Sequence, residues 1–214
     1  MLSNLIVPVL NRYDLLQRLL DTINYPVGHL LIIDNGGQLG KPGCLWAEKV
    51  TVLNMPSNLG VAGSWNLGIM SLPHEPYWAF ASNDAFFFPG TMARMSETGP
   101  DDMLMSTEAP FWQVFTLGEN VVRNVGLFGW GFMPAYFEDN DYSRRAERWG
   151  FAKQNVLKVG HDNSSTLHSD PAFQQHNVTT FSANQALYRS RSEKKVMGAG
   201  EWELDRRRAL EWVR

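Results

Sequence analysis

Three features of the sequence predict an α/β fold with a mixed, mostly parallel central sheet flanked by helices. Apolar runs of strand length, "NLIVPV" (4–9) and "HLLIID" (29–34), lack the polar alternation of a half-exposed strand, as befits strands covered on both faces. Between them, Leu15, Leu16, Leu19, Leu20 and Ile23 recur at helical spacing. The same strand, helix, strand order then repeats, which implies right-handed parallel crossovers.

The elements follow in order. After the first strand, Asn11 stands near the start of the helix over Tyr13 to Ile23 as a candidate cap, and "NGG" ends the second strand. "KVTVLN" (49–54) reads as a strand, "VAGSWNLGIMSL" (61–72) as a helix and "PYWAFAS" (76–82) as the next strand. Pro89 is placed to start a helix through Met95, and "DMLMST" (102–107) reads as a strand. Phe111 to Phe137, aromatic and punctuated by glycine, yields no assigned element.

A helix begins near Asp139, with Tyr142, Ala146 and Trp149 as its apolar stripe, acids in its first turn, Arg144, Arg145 and Arg148 later, and Gly150 as a C-cap glycine. "NVLKVGH" (155–161) reads as a strand ending in a histidine. Beyond Asp162 the chain turns polar, and a loop followed by a helix from roughly Glu201 is expected. Residues 1–170 form the predicted main domain, and 171–214 a helical C-terminal extension packed on it.

At 214 residues the chain is long enough for one large domain with a substantial core, and 44% apolar with 19% charged residues is the composition of a globular protein. A net charge of -3 gives no whole-chain attraction to nucleic acid or an anionic membrane. The basic "RRRALEWVR" (206–214) reads as a solvated helix face, with Trp202 and Trp212 leaving a partner contact open. Cys44, the only cysteine, permits no internal disulfide and suits a reducing compartment. With no basic leader and no apolar run near the ~20 residues of a membrane helix, a cytoplasmic protein without integral membrane contact is expected.

In open parallel sheets, ligands bind beyond the carboxyl ends of the strands. Asn11, Asp34, Asn58 and Asp84 all fall there, so that a cap or turn role for each competes with a shared nucleotide pocket. Asp84 is the sharpest case, because "YWAFASNDAFFFPG" (77–90) sets it between apolar runs where a lone carboxylate is costly. It suits Mg²⁺ or Mn²⁺, hard cations that prefer oxygen and bridge phosphates, or else a turn before the Pro89 helix. Glu138, Asp139 and Asp141 favour a helix N-terminus whatever the function, yet exceed what capping requires, so a general base among them is expected. His161 and His168 flank "DNSST", either a candidate metal-side histidine. No paired-cysteine, HExxH, Walker or GxSxG pattern occurs.

Taken in order, "VPVLNRYDLLQRLLDTI", "LLIIDNGG", "NLGVAGSWNLGI", "ASNDAFFFPG", "NVGLFGWGFMPAYFEDNDYSRRAERWGF" and "HDNSST" resemble the family 2 glycosyltransferases of GT-A fold, especially their rhamnosyltransferase-like branch. The resemblance spans residues 4 to about 166. It implies that Pro8, Val9 and Asn11 line the nucleoside pocket, that Asp34 contacts base or ribose, and that Asn58, Gly60 and Asn66 belong to the segment closing over the nucleotide. "SND" (82–84) falls on the family's metal motif, with Asp84 the metal ligand and Asn83 assisting through its amide oxygen; one carboxylate stands where the motif has two. Asp139 matches the base that deprotonates the acceptor, and His161 a histidine beside metal and diphosphate. "FGWGF" (128–132) departs from relatives that carry an acid there.

The function so implied is an inverting glycosyltransferase that uses a divalent metal ion (Mn²⁺ or Mg²⁺) and moves a sugar from a nucleoside-diphosphate sugar to an acceptor hydroxyl on a glycan, protein or modified nucleic acid. A nucleotidyltransferase that makes a nucleotide sugar and a non-catalytic nucleotide-sugar binding module are the alternatives. Donor base, donor sugar, acceptor and oligomeric state are not specified by the sequence.

Overall fold

A computed structural model describes residues 1–162 and 171–193. Its centre is a seven-stranded sheet of order β3-β2-β1-β4-β7-β6-β8. The strands are β1 (Leu2–Val9), β2 (Val27–Asp34), β3 (Ala47–Asn54), β4 (Tyr77–Ala81), β6 (Met103–Ser106), β7 (Val114–Gly118) and β8 (Lys153–Leu157). β1, β2, β3 and β4 run parallel; β7 enters antiparallel between β4 and β6, and β6 pairs β8 in parallel. A separate two-stranded antiparallel ribbon joins β5 (Ala85–Phe87) to β9 (Val159–His161).

The unbroken apolar runs have the expected physical cause. Along β1, Leu5, Val7 and Val9 face one core while Ile6 faces the other; along β2, Leu30 and Ile32 oppose Leu31 and Ile33. With a side-chain period of two, a strand covered on both faces must be apolar at every position. Helices α1 (Tyr13–Asp21) and α3 (Thr91–Met95) lie on the first face, and α2 (Gly60–Ser71), α4 (Glu119–Val125) and α5 (Glu138–Arg148) on the second. The polar exception, Asn4, is fully buried. Its Nδ2 donates to Tyr77 O (2.7 Å) and its Oδ1 accepts from Ala79 N (3.0 Å), so its amide substitutes for the sparse backbone ladder between β1 and β4.

Several expectations are corrected. Asn11 does not cap α1: the N-cap position is Arg12, and no side chain makes a capping hydrogen bond there. The Pro89 helix starts at Thr91, after Gly90 in the left-handed region at φ 86°. Trp149 lies off the buried stripe of α5 and is 43% exposed, although Tyr142 and Ala146 are buried. "NVLKVGH" divides at Lys158 into β8 and β9, in different sheets. The unassigned aromatic segment holds β7 and α4. Helix α6 spans Pro171–Glu193 where loop was expected, and the helix expected from Glu201 lies outside the described residues. His168, Trp202, Trp212 and "RRRALEWVR" lie outside the described residues. No described helix is long and apolar enough to cross a membrane.

Candidate active site

A cavity of about 330 Å³ opens at the carboxyl ends of β1 and β4, within the size range of small-molecule sites. Pro8 and Val9 line it from β1, Asn58 and Gly60 from the start of α2, and Asn83 and Asp84 from the end of β4. Asp139 lines it from α5 and His161 from β9. The ribbon explains the last approach. Ala85 pairs with His161, Asp162 N donates to Asp84 O (3.1 Å), and His161 Nε2 comes to 2.9 Å from Asp84 Oδ1. Arg18 of α1 fastens this corner by donating to Asp162 (2.5 Å) and to the Asp84 carbonyl (3.1 Å) while lying over the Phe86 ring.

A hard divalent cation fits this donor set. A carboxylate oxygen and an imidazole nitrogen, both nearly buried, converge on one wall. Among the described residues no third His, Cys, Asp or Glu joins them.

On the same cavity, α5 presents two acids with different environments. Asp139 is half-buried, its Oδ1 accepting from Asn140 N (2.7 Å), and burial raises its pKa above the ordinary carboxylate value. Glu138 is buried, its Oε2 has no hydrogen-bond partner among the described residues, and burial together with the neighbouring Asp139 charge pushes its pKa up to about 8. Asp141 points elsewhere. Burial would raise its pKa, but Arg145, Arg191 and Arg144 outweigh that and lower it; the contacts are 2.8, 3.3 and 2.7 Å. Arg145 also donates to Val125 O (2.5 Å) and Leu127 O (2.7 Å), so Asp141 anchors α5 to the end of α4.

Three residues expected at the pocket are not among those lining it. Asn11 is exposed beyond β1. Asp34 is fully buried and holds its own turn, with Oδ1 accepting from Tyr13 Oη (2.9 Å) and Gly36 N (3.0 Å) and Oδ2 from Leu39 N (2.7 Å). Asn66 forms a closed amide pair with the Phe128 backbone, at 2.9 and 2.8 Å. The lining residues that sequence reasoning missed include Asn35, Ser64, Trp112 and Gln113, while Glu138, one of the three acids expected to include a base, lines it beside Asp139. Asn35 occupies the position next to Asp34 and ties β2 to α2, donating to Ser64 Oγ (2.8 Å) and accepting from Leu59 N (2.9 Å).

The loop before α5 is braced from both sides. Gly60, at φ 71°, leaves room for Pro134 O, which accepts from Val61 N at 2.9 Å; a Cβ on Gly60 would stand 2.7 Å from that same oxygen. Tyr136 and Phe137 hold φ of 78° and 74°, a conformation costly for bulky side chains. From α6, Asn184 Nδ2 donates to Met133 O (3.1 Å) and Ala135 O (2.9 Å), while Phe181 and Tyr188 pack on Phe137. Beneath the cavity, Trp65, Trp112, Phe115, Phe128 and Tyr142 form a continuous ring-on-ring floor.

Among solved structures, the chain superposes on GalNAc-T7, crystallised with UDP, GalNAc and Mn²⁺, with TM-score 0.56 and 10% identity over 75% of this chain and 44% of that one. For TarS from S. aureus the TM-score is 0.48, with 12% identity over 68% of this chain and 33% of that one. The chain thus spans less than half the length of either. No family model matches the sequence, and no curated protein does. The architecture is that of the GT-A fold, a mostly parallel central sheet flanked by helices.

Proposed function

We propose that the protein is an inverting, metal-dependent glycosyltransferase that moves a sugar from a nucleoside-diphosphate sugar to an acceptor hydroxyl. The observation that carries this reading is the sharing of one cavity by the Asp84–His161 pair and Asp139, approaching from different elements. The fold likeness to GalNAc-T7, whose crystals contain UDP, GalNAc and Mn²⁺, supports the same donor chemistry. The rhamnosyltransferase-like branch rests on the ordered motifs of the sequence. Residues 1–170 constitute the transferase domain in this reading, and the C-terminal extension braces its acceptor side.

Asp84 and His161 would hold Mn²⁺ or Mg²⁺, which when bound supplies charge neutralisation at the leaving diphosphate. Pro8, Val9, Asn35 and Asn58 bind and orient the nucleoside end, and Asn83 lines the wall beside Asp84. Asp139 accepts the proton of the acceptor hydroxyl as that oxygen bonds to the anomeric carbon. The bond from that carbon to the diphosphate breaks on the opposite face, which inverts the centre. Its raised pKa brings Asp139 closer to the proton affinity a base needs near neutral pH, while Asp141 is committed to arginines.

Thermal unfolding with UDP, GDP and thymidine diphosphate, each with and without Mn²⁺, tests the reading. One diphosphate should raise the melting temperature in a Mn²⁺-dependent way, and that dependence should vanish in Asp84→Ala. Release of pyrophosphate from a sugar phosphate and a nucleoside triphosphate would replace the reading with nucleotidyl transfer.

A further inference from the structure

Two buried side chains on the cavity wall have polar atoms without a hydrogen-bond partner among the described residues. Gln113 is 4% exposed and its Oε1 has no partner; Glu138 is 5% exposed and its Oε2 has none. An unpaired buried polar atom costs on the order of 1–3 kcal/mol and is uncommon in native folds. Neither exists by necessity of folding: Gln113 lies in the β6–β7 loop and Glu138 opens α5, where other residues would serve. Both line the same cavity, and the aromatic rings of Trp65, Trp112 and Tyr136 line it with them.

We propose that Gln113 and Glu138 are specificity-determining residues that hydrogen-bond hydroxyl groups of the transferred sugar. The inference rests on the nucleotide-sugar reading above and adds where the sugar ring lies. During transfer the anomeric carbon must stand between the leaving diphosphate and the attacking acceptor oxygen. Gln113 is tied to the diphosphate side, since its carbonyl accepts from Ser82 N (2.7 Å), two residues before Asp84. Glu138 adjoins Asp139, on the base side. The stretch of wall between them therefore belongs to the donor sugar.

The chemistry of the two groups suits that occupant. A hydroxyl can both donate and accept, so it satisfies the amide oxygen of Gln113 as donor and the carboxyl group of Glu138 in either role. Burial keeps Glu138 protonated at neutral pH, so it adds no second negative charge beside Asp139 and the diphosphate. Aromatic walls with a few convergent polar groups match a ring that carries hydroxyls at its edge and C–H bonds on its faces.

The test compares the affinity of each nucleoside diphosphate with that of its hexose and deoxyhexose conjugates by titration calorimetry, with Mn²⁺ present. The wild type should bind one conjugate more tightly than the matching diphosphate. Gln113→Met and Glu138→Leu should each erase about tenfold of that preference while leaving diphosphate affinity unchanged, and Glu138→Gln, which retains hydrogen-bonding capacity, should restore most of it. Gln113→Met should also melt no lower than wild type, because it removes an unpaired polar atom at similar volume, an outcome opposite to that for a structural residue. Full sugar preference in both apolar variants would overturn the assignment while the nucleotide reading stands. A wild type that responds to no diphosphate would overturn the nucleotide reading, and this inference with it.

Discussion

His161 Nε2 lies 2.9 Å from Asp84 Oδ1 because three-residue strands, far apart in sequence, pair with Ala85 opposite His161. That register depends on Gly160. A Cβ there would stand 1.9 Å from the Phe86 ring, and Phe86 is held by a T-shaped contact with Phe88 and by Arg18 above it. Gly160→Ala is expected to displace the ring and loosen the ribbon, drawing His161 away from Asp84. Divalent-ion affinity should fall about 10–100-fold, as for lost support of a ligand, with little change in melting temperature. Mn²⁺ titration of the diphosphate-induced thermal shift measures both.

The acids at the start of α5 should separate by experiment. Asp139→Asn removes the proposed base without removing an ion pair, so transfer should drop about 10²–10⁴-fold while the fold melts near the wild-type temperature. Asp141→Asn leaves Arg145 and its neighbours without their buried anion and should destabilise by about 3–5 kcal/mol. Urea unfolding alongside transfer rates distinguishes the two. Near-normal transfer by folded Asp139→Asn would remove it from the mechanism.

How much of this was legible follows from what each signal physically reports. Doubly covered strands leave unbroken apolar runs, so β1, β2 and β4 were visible; β5 is too short for any period, and β9 reads as the continuation of β8 in "NVLKVGH". The segment that holds β7 and α4 has glycine and aromatic punctuation that mimics a loop. A polar residue at a strand end can face a ligand or close its own turn with the same composition. Asp84 faces the cavity, whereas Asp34 spends both carboxylate oxygens on Tyr13, Gly36 and Leu39. Gln113 carried no local signal, because only tertiary structure buries its amide without a partner.

Stability should also depend on Glu138 in a definite direction. Its folded pKa of about 8 exceeds the ordinary value of 4.5, so the folded state retains a proton that the unfolded chain releases. The stabilisation is full below the unfolded value and is lost as pH rises through the folded one. Asp139, raised by burial as well, acts with the same sign. Unfolding free energy should therefore fall by on the order of a few kcal/mol between about pH 5 and about pH 8, and Glu138→Gln should flatten most of that slope. Urea midpoints measured across the range decide it.

The loop that leads into α5 depends on α6 through Asn184. Its amide, 4% exposed, donates to Met133 O and Ala135 O, immediately before two residues at positive φ and the acids of α5. Tyr136 and Phe137 hold that backbone conformation only because the surroundings enforce it, and Asn184 contributes to that enforcement together with the Val61 N–Pro134 O bond. Asn184→Leu should remove both bonds and leave the two carbonyls short of donors, at about 1–3 kcal/mol of stability. With the loop relaxed, Asp139 loses its placement relative to the acceptor but not to the diphosphate corner, which stands on β4 and β9. Diphosphate affinity should thus hold at the wild-type value while the acceptor KM rises and kcat falls. Equal losses in diphosphate and acceptor binding would show instead that α6 supports the whole cavity rather than its acceptor side.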